Sequence, residues 1–132
     1  MGSVLIEVWR SGAWGEVHVL MGPLSEPLAV IAGLKRSAPS AYRQVLARFQ
    51  RLADYGPSWH DWYKRLEDAE DLHQLRYEQH RFLLFPHPHK ARALVLLTYF
   101  RKQQQRTPPA ELRKALTVRR RVALMLSKES NP

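Results

Sequence analysis

The sequence predicts an α+β fold, with N-terminal helices packed on a small antiparallel sheet and a C-terminal helix closing the chain. Two patterns lead to this prediction. Apolar residues recur at steps of three and four between 37 and 55, which is typical of an amphipathic helix. Between 72 and 100, three strand-like segments are separated by short turns, which favours an antiparallel meander. A chain of 132 residues forms one domain, so we expect a single domain over 1–132.

An N-terminal β-hairpin is predicted from two β-prone runs, 4–9 and 16–21, which flank a glycine-containing turn. Gly22-Pro23 ends the hairpin, and Ser25 with Pro27 in the first turn is typical of a helix start. The apolar side of this first helix consists of Leu28, Ile31 and Leu34.

The second helix is expected from about Ser37 to Tyr55, because Gly56-Pro57 supplies its stop. Three arginines fall off its apolar stripe and are expected on a solvated face: Arg43, Arg48 and Arg51. From 58 to 71 the pattern is irregular and ends in an acidic cluster. We expect a solvated loop there, because no glycine-turned cage or matching ligand set for a divalent cation accompanies the carboxylates.

The meander is predicted to have strands at 72–77, 80–85 and 91–100. Strand alternation places Leu72, Gln74 and Arg76 on one face of the sheet and His73, Leu75 and Tyr77 on the other. A last helix begins with Thr107 as its N-cap. Its outward side carries Arg113, Lys114, Arg120 and Arg121.

Charge is divided unevenly along the chain. The sequence has 21 Lys+Arg and 12 Asp+Glu, a formal net charge of +9. Residues 1–71 hold 8 basic and 9 acidic side chains, whereas residues 72–132 hold 13 and 3. The whole excess therefore lies in the second half, and such a localised positive field attracts a polyanion, nucleic acid foremost. A basic surface that serves only solubility is the alternative.

Several classes of site are excluded by what the sequence lacks. The chain has no cysteine, which excludes disulfides, thiolate zinc sites, cysteine nucleophiles and iron–sulfur clusters. It has no glycine-rich phosphate loop, which excludes nucleotide hydrolysis of the P-loop kind. No apolar run approaches the ~18 residues that span a bilayer. We therefore expect a cytoplasmic protein that has no contact with a membrane and needs no cofactor or metal.

The basic half offers cations for RNA chemistry. Attack of a 2′-hydroxyl on the adjacent phosphate creates a crowded, doubly charged transition state, which fixed cations stabilise. Each candidate also has a purely structural interpretation: Arg76 and Arg81 as surface charges of the sheet, and Tyr99 as a core residue. His87-Pro88-His89 is interpreted as a turn rather than a metal site.

Five motifs, in order and at matching spacing, span the region from about Leu46 to Val122. They are LADYGP (52–57), KRLED (64–68), LHQLRY (72–77), RFLLF (81–85), and LLTYFRK through TPPAEL (96–112). Together they resemble the RelE-like toxins of bacterial type II toxin–antitoxin modules, in particular the HigB-like, phage-derived branch. The resemblance implies a RelE-like fold and a ribosome-dependent mRNA endonuclease, or mRNA interferase, that inhibits translation. The partners it implies are the ribosome, mRNA and a cognate helix-turn-helix antitoxin.

The resemblance also implies roles for individual residues. Arg76 and Arg81 fall on basic positions of the sheet motif, where Arg76 stabilises the scissile phosphate and Arg81 assists. Lys102 falls on the basic position after the last strand's final aromatic, and with Arg101 it positions RNA or supplies a proton. His73 and Tyr99 are candidates for the general base, since Thr98-Tyr99 and the glutamines after Lys102 depart from the branch's pattern. Further RNA contacts are expected from Arg101, Arg106, Arg113, Lys114 and Arg120.

Two alternative functions stay open on the sequence. One is a ParE-like toxin that inhibits DNA gyrase without cleaving RNA. The other is a non-catalytic nucleic-acid-binding or phage accessory protein. A basic sheet face on which Arg76, Arg81 and Lys102 converge favours a nuclease, whereas an apolar groove along the helices favours an antitoxin partner.

Overall fold

A computed structural model of the chain describes residues 6–21, 25–58, 61–67, 71–103 and 107–130. In it a mixed sheet lies between two helices on one face and a third helix on the other. The elements in chain order are β1 (Ile6–Ser11), β2 (Glu16–Leu20), α1 (Glu26–Ser37), α2 (Pro39–Tyr55), β3 (Tyr63–Arg65), β4 (His73–Tyr77), β5 (His80–Pro86), β6 (Ala93–Arg101) and α3 (Pro109–Ser130). The predicted α+β class is confirmed.

The sheet is larger than predicted and is not purely antiparallel. Its six described strands have the order β1-β2-β6-β5-β4-β3. The β4–β5–β6 meander and the β1–β2 hairpin are antiparallel as predicted, but β2 pairs in parallel with β6. The physical reason is burial: the last four residues of β2 are buried, and a strand covered on both faces belongs inside a sheet. Gly15 permits the approach, because a Cβ there would lie 1.9 Å from the carbonyl oxygen of Arg92.

The expected loop at 58–71 is wrong in part, because it contains the short edge strand β3. Tyr63 opens this strand opposite Leu75 and is fully buried. Burying such a large ring outweighs the irregular pattern of the residues around it. Of the acidic cluster, Glu67 and Asp71 are exposed, whereas Asp68 and Glu70 lie outside the described residues.

Each face of the sheet has its own core. On the helix-pair face, Phe49 of α2 is fully buried and makes edge-on contacts with Trp9 at 4.9 Å and Phe82 at 5.3 Å between ring centroids. On the α3 face, Leu72 and Leu83 pack in one cluster with α3. Leu72 and Leu75 lie in opposite cores, which confirms the predicted alternation along β4.

The last helix begins one residue later than predicted. The amide of Leu112 donates to the carbonyl of Pro108 at 3.2 Å, so Pro108 rather than Thr107 occupies the N-cap. Arg113, Arg120 and Arg121 are exposed along this helix as predicted. None of the described helices is long and apolar enough to cross a membrane.

Candidate active site

Strands β4 and β5 bring two of the predicted arginines together. Arg76 and Arg81 are direct cross-strand partners on the α3 face, on either side of the tight turn at Glu78-Gln79. Directly opposed residues of an antiparallel pair have Cβ atoms about 5 Å apart. Arg76 is exposed, whereas Arg81 is 5% exposed. The pair therefore offers one exposed and one buried guanidinium.

The Arg81 side chain is anchored by the backbone of the turn that precedes it. Its Nη1 donates to the carbonyls of Glu78 and His80, the latter at 3.0 Å. Glu78 has a φ of 52°, a left-handed conformation that costs a residue with a Cβ about 1 kcal/mol. Burial, and then the charge of Arg76, lower the pKa of Arg81. The guanidinium is thus held in place and partly stripped of water, as a preorganised anion contact requires.

Lys102, which directly follows strand β6, completes the group. Its amide donates to the carbonyl of Gln79 at 2.7 Å, so the chain continues alongside the β4–β5 turn beyond the end of β6. Burial lowers the pKa of Lys102, and the charges of Arg81, Lys64 and Arg76 lower it further. We call Lys64, Arg76, Arg81 and Lys102 the cationic cluster. In the described part of the chain, none of the four forms an ion pair with a carboxylate.

Lys64 is a member of this cluster that the sequence reasoning missed. It lies opposite Gln74 in the β3–β4 pairing and is exposed. Lys64 is the first residue of the KRLED motif, but the loop predicted there gives no reason to place this lysine beside the sheet. Strand β3 supplies the reason, because its edge position carries Lys64 next to the strand that holds Arg76.

Three buried polar atoms lie on the same face next to the cluster. Gln74 and Thr98 flank Leu83 in register, two residues along from the row of Arg76 and Arg81. The Oε1 of Gln74, the Nε of Arg81 and the Oγ1 of Thr98 have no hydrogen-bond partner within the described residues. Buried polar atoms are nearly always paired in folded proteins. In the described part of the chain, these three atoms are therefore unpaired polar groups buried beneath the cluster, out of reach of solvent.

The structure does not bring the two candidate bases to the cationic cluster. His73 is 5% exposed on the helix-pair face, where its Nδ1 lies within hydrogen-bonding distance, 2.6 Å, of the hydroxyl oxygen of Tyr63. Burial lowers the pKa of His73. The hydroxyl of Tyr99 lies 2.7 Å from Nδ1 of His80, and burial raises the pKa of Tyr99. His73 and Tyr99 thus lie behind the sheet as seen from the cluster.

The predicted RNA contacts are spread over several surfaces. Arg101 is exposed but pairs in register with His80, on the face opposite the cluster. Arg113 and Arg120 are exposed on α3. Lys114 is instead tied down, because its Nζ contacts carboxylate oxygens of Glu26 and Glu111, both at 2.9 Å. Arg106 lies outside the described residues.

The histidines of the 86–90 turn serve local structure. The amide of His89 donates to Nδ1 of His87 at 3.1 Å, and the ring of His87 lies 5.0 Å from that of His18. Burial and the neighbouring charges lower the pKa of His87 to about 4. Within the described residues no three His, Asp or Glu side chains are grouped so that they could hold a metal ion.

No model of a known protein family matches this chain, and no curated protein is significantly similar to it in sequence. In the described part of the chain, the cluster groups four cations without carboxylate partners, one of them a lysine with a lowered pKa. Such a group has the charge and the N–H donors that contact with a phosphate requires.

Proposed function

We propose that this chain is a toxin of a type II toxin–antitoxin pair that cleaves mRNA on the ribosome without the help of a metal. The observation that carries the proposal is the convergence of Arg76, Arg81 and Lys102 on one face of the sheet. The RelE-like motifs of the sequence supply the reaction class, and the net positive charge of residues 72–132 supplies attraction to RNA.

In the proposed reaction, the 2′-hydroxyl of a nucleotide loses its proton to water and attacks the adjacent phosphorus. The bond from phosphorus to the 5′-oxygen breaks, leaving a 2′,3′-cyclic phosphate and a free 5′-hydroxyl. Arg76 and Arg81 stabilise the charge that develops on the non-bridging oxygens. Lys102 donates a proton to the leaving 5′-oxygen, and its lowered pKa makes it a better acid than an ordinary lysine.

The remaining parts of the proposal concern partners. The exposed arginines of α3 contact phosphates of ribosomal RNA and orient the toxin on its target. A cognate helix-turn-helix protein neutralises the toxin. Its gene would lie beside the gene of this chain, which makes the genomic neighbourhood an inexpensive first test.

The decisive experiment combines expression with a cleavage assay. Expression of the chain alone should arrest growth, and mRNA from the arrested cells should carry new 5′-hydroxyl ends within codons. Arg76→Ala combined with Lys102→Ala should relieve both effects. Growth arrest with intact mRNA would overturn the proposal and favour gyrase inhibition, which a supercoiling assay on the purified chain would then measure.

A non-catalytic nucleic-acid-binding protein is the second candidate, because the exposed basic residues of α3 need no reaction to be useful. Arg113, Arg120 and Arg121 line one side of this helix in solvent. Tight RNA binding by the purified chain, without growth arrest and without cleavage on ribosomes, would favour this second candidate.

A further inference from the structure

A groove of about 520 Å³ runs along the outer side of α2, away from the core. Its described lining includes two arginines, Arg48 and Arg51, and two aromatic residues, Tyr55 and Trp62. Tyr55 is 70% exposed, which is unusual for a large aromatic side chain. The lining also includes the carboxylate of Asp54, which accepts from the side-chain amide of Gln50 at 3.2 Å. The groove therefore presents ring surface together with two positive charges and one negative charge.

The two guanidinium groups of the groove lie over rings rather than beside carboxylates. Arg51 lies 5.3 Å from the ring centroid of Tyr55, and Arg48 lies 4.8 Å from that of Tyr77 and 5.8 Å from that of Trp62. Neither forms an ion pair within the described residues. An arginine stacked on an aromatic ring keeps N–H donors at its rim, and these donors suit a phosphate.

Arg48 also links the groove to β4, the strand that carries Arg76 of the cationic cluster. Its Nη1 donates to the backbone carbonyl of Arg76 at 2.5 Å. Burial lowers the pKa of Arg48, which departs from the prediction that this arginine lies on a solvated face. The groove thus opens near the end of β4. The backbone of Arg76 contacts the groove residue Arg48, whereas the side chain of Arg76 lies on the opposite face of the sheet.

We propose that this groove binds a nucleotide of single-stranded RNA, with its base stacked on Tyr55 and its phosphate on Arg51 and Arg48. Aromatic faces and cations side by side are the contacts that single-stranded nucleic acids use. An amphipathic peptide helix is a poorer fit, because Ala47 is the single aliphatic residue in the described lining. The identification of the ligand as RNA rests on the proposed function, whereas the stacking contact does not.

The test measures binding of a short single-stranded 2′-O-methyl RNA, which cannot be cleaved, to the full purified chain. Tyr55→Ala should weaken binding by about 5- to 150-fold, the range for loss of one base–aromatic stack, and Tyr55→Phe should restore most of the affinity. Arg51→Ala should also weaken binding, whereas Arg43→Ala, an exposed arginine on the same helix outside the groove, should leave it within twofold. Raised salt should shrink the effect of Arg51→Ala but not that of Tyr55→Ala.

The outcomes separate this inference from the proposed function. Binding that depends on Tyr55, in a chain that cleaves no mRNA, supports the groove and overturns the nuclease. Cleavage with a KM and an RNA affinity that Tyr55→Ala leaves within twofold overturns the groove and leaves the nuclease standing. A third outcome is that Tyr55→Ala abolishes binding of an acidic peptide but leaves the affinity for RNA unchanged. This outcome also overturns the groove as an RNA site.

Discussion

We expect Arg76→Ala to separate the proposed catalysis from stability in this molecule. Arg76 is exposed, and its side chain makes no hydrogen bond or ion pair with the described residues. Substitutions at such positions change the free energy of unfolding by at most about 0.5 kcal/mol. Loss of one preorganised donor from a developing oxyanion, in contrast, costs about 10²- to 10³-fold in kcat, or about 2.7–4 kcal/mol. We expect a loss of that size in cleavage, with urea denaturation almost unchanged.

The neighbouring arginine provides the contrast. Arg81 is 5% exposed and donates to two backbone carbonyls, so Arg81→Ala removes both bonds. Charged hydrogen bonds contribute about 1.5–3 kcal/mol each. We therefore expect Arg81→Ala to lower the free energy of unfolding by about 3 kcal/mol in addition to its effect on cleavage. The Arg76→Ala and Arg81→Ala variants would then differ in their free energy of unfolding but both lose cleavage activity.

The assay is single-turnover cleavage of an mRNA on purified ribosomes as a function of pH. Arg76 is one of the charges that lower the pKa of Lys102, so its removal lets Lys102 keep its proton to higher pH. In Arg76→Ala, the fall of the cleavage rate on the alkaline side of the profile should therefore occur at a higher pH. Arg43→Ala removes an exposed positive charge elsewhere and serves as the control. Cleavage by Arg76→Ala within threefold of that control would refute the role given to Arg76.

The other predictions concern protons and salt. Lys102→Arg keeps the positive charge, but an arginine is a poor proton donor. We therefore expect cleavage to fall by about 10²- to 10⁴-fold while RNA affinity is retained. Equal losses of cleavage and of RNA affinity would contradict proton donation by Lys102. The pKa of His87 is lowered to about 4, so the unfolded chain binds more protons below pH 6.5. Stability should fall by about 1–2 kcal/mol, after discounting for partial exposure, as pH drops from 6.5 to 4, and denaturation of His87→Gln should show a shallower fall. Arg120→Gln with Arg121→Gln should reduce the slope of log affinity against log salt by about 0.7–0.9 per lost phosphate contact, and an unchanged slope would show that α3 does not contact RNA.

Local patterns in the sequence predict the elements that form the site. Two short turns between apolar segments predict β4, β5 and β6, and strand alternation predicts that Arg76 faces away from His73. The same alternation predicts that the candidate base His73 lies on the face opposite Arg76, away from the phosphate that Arg76 is proposed to contact. A histidine and an arginine are residue types that could serve one site. Residues three positions apart on a strand, however, lie on opposite faces of the sheet, so His73 and Arg76 cannot both face it.

Long-range packing decides the features that were not predicted. β3 has only three residues, too few for a period to emerge, and it forms because the ring of Tyr63 is buried against its neighbours. The parallel pairing of β2 with β6 joins residues far apart in the chain, and no local signal specifies it. Lys64 and the groove at Arg48 both follow from these unpredicted contacts at the β3 edge. The predicted site was therefore incomplete on the side where the sheet ends.

The β4–β5 turn explains why the cluster forms where it does. Glu78 adopts a left-handed conformation that costs free energy. The carbonyl of Glu78 accepts from the side chain of Arg81, and the carbonyl of Gln79 accepts from the backbone amide of Lys102. The turn thus holds the Arg81 side chain and the Lys102 backbone close together. Repulsion among the like charges opposes this arrangement and is relieved when an anion binds. A bound phosphate would therefore stabilise this turn as well as neutralise the cluster, and under the proposed function substrate binding would favour the geometry that the cleavage step needs.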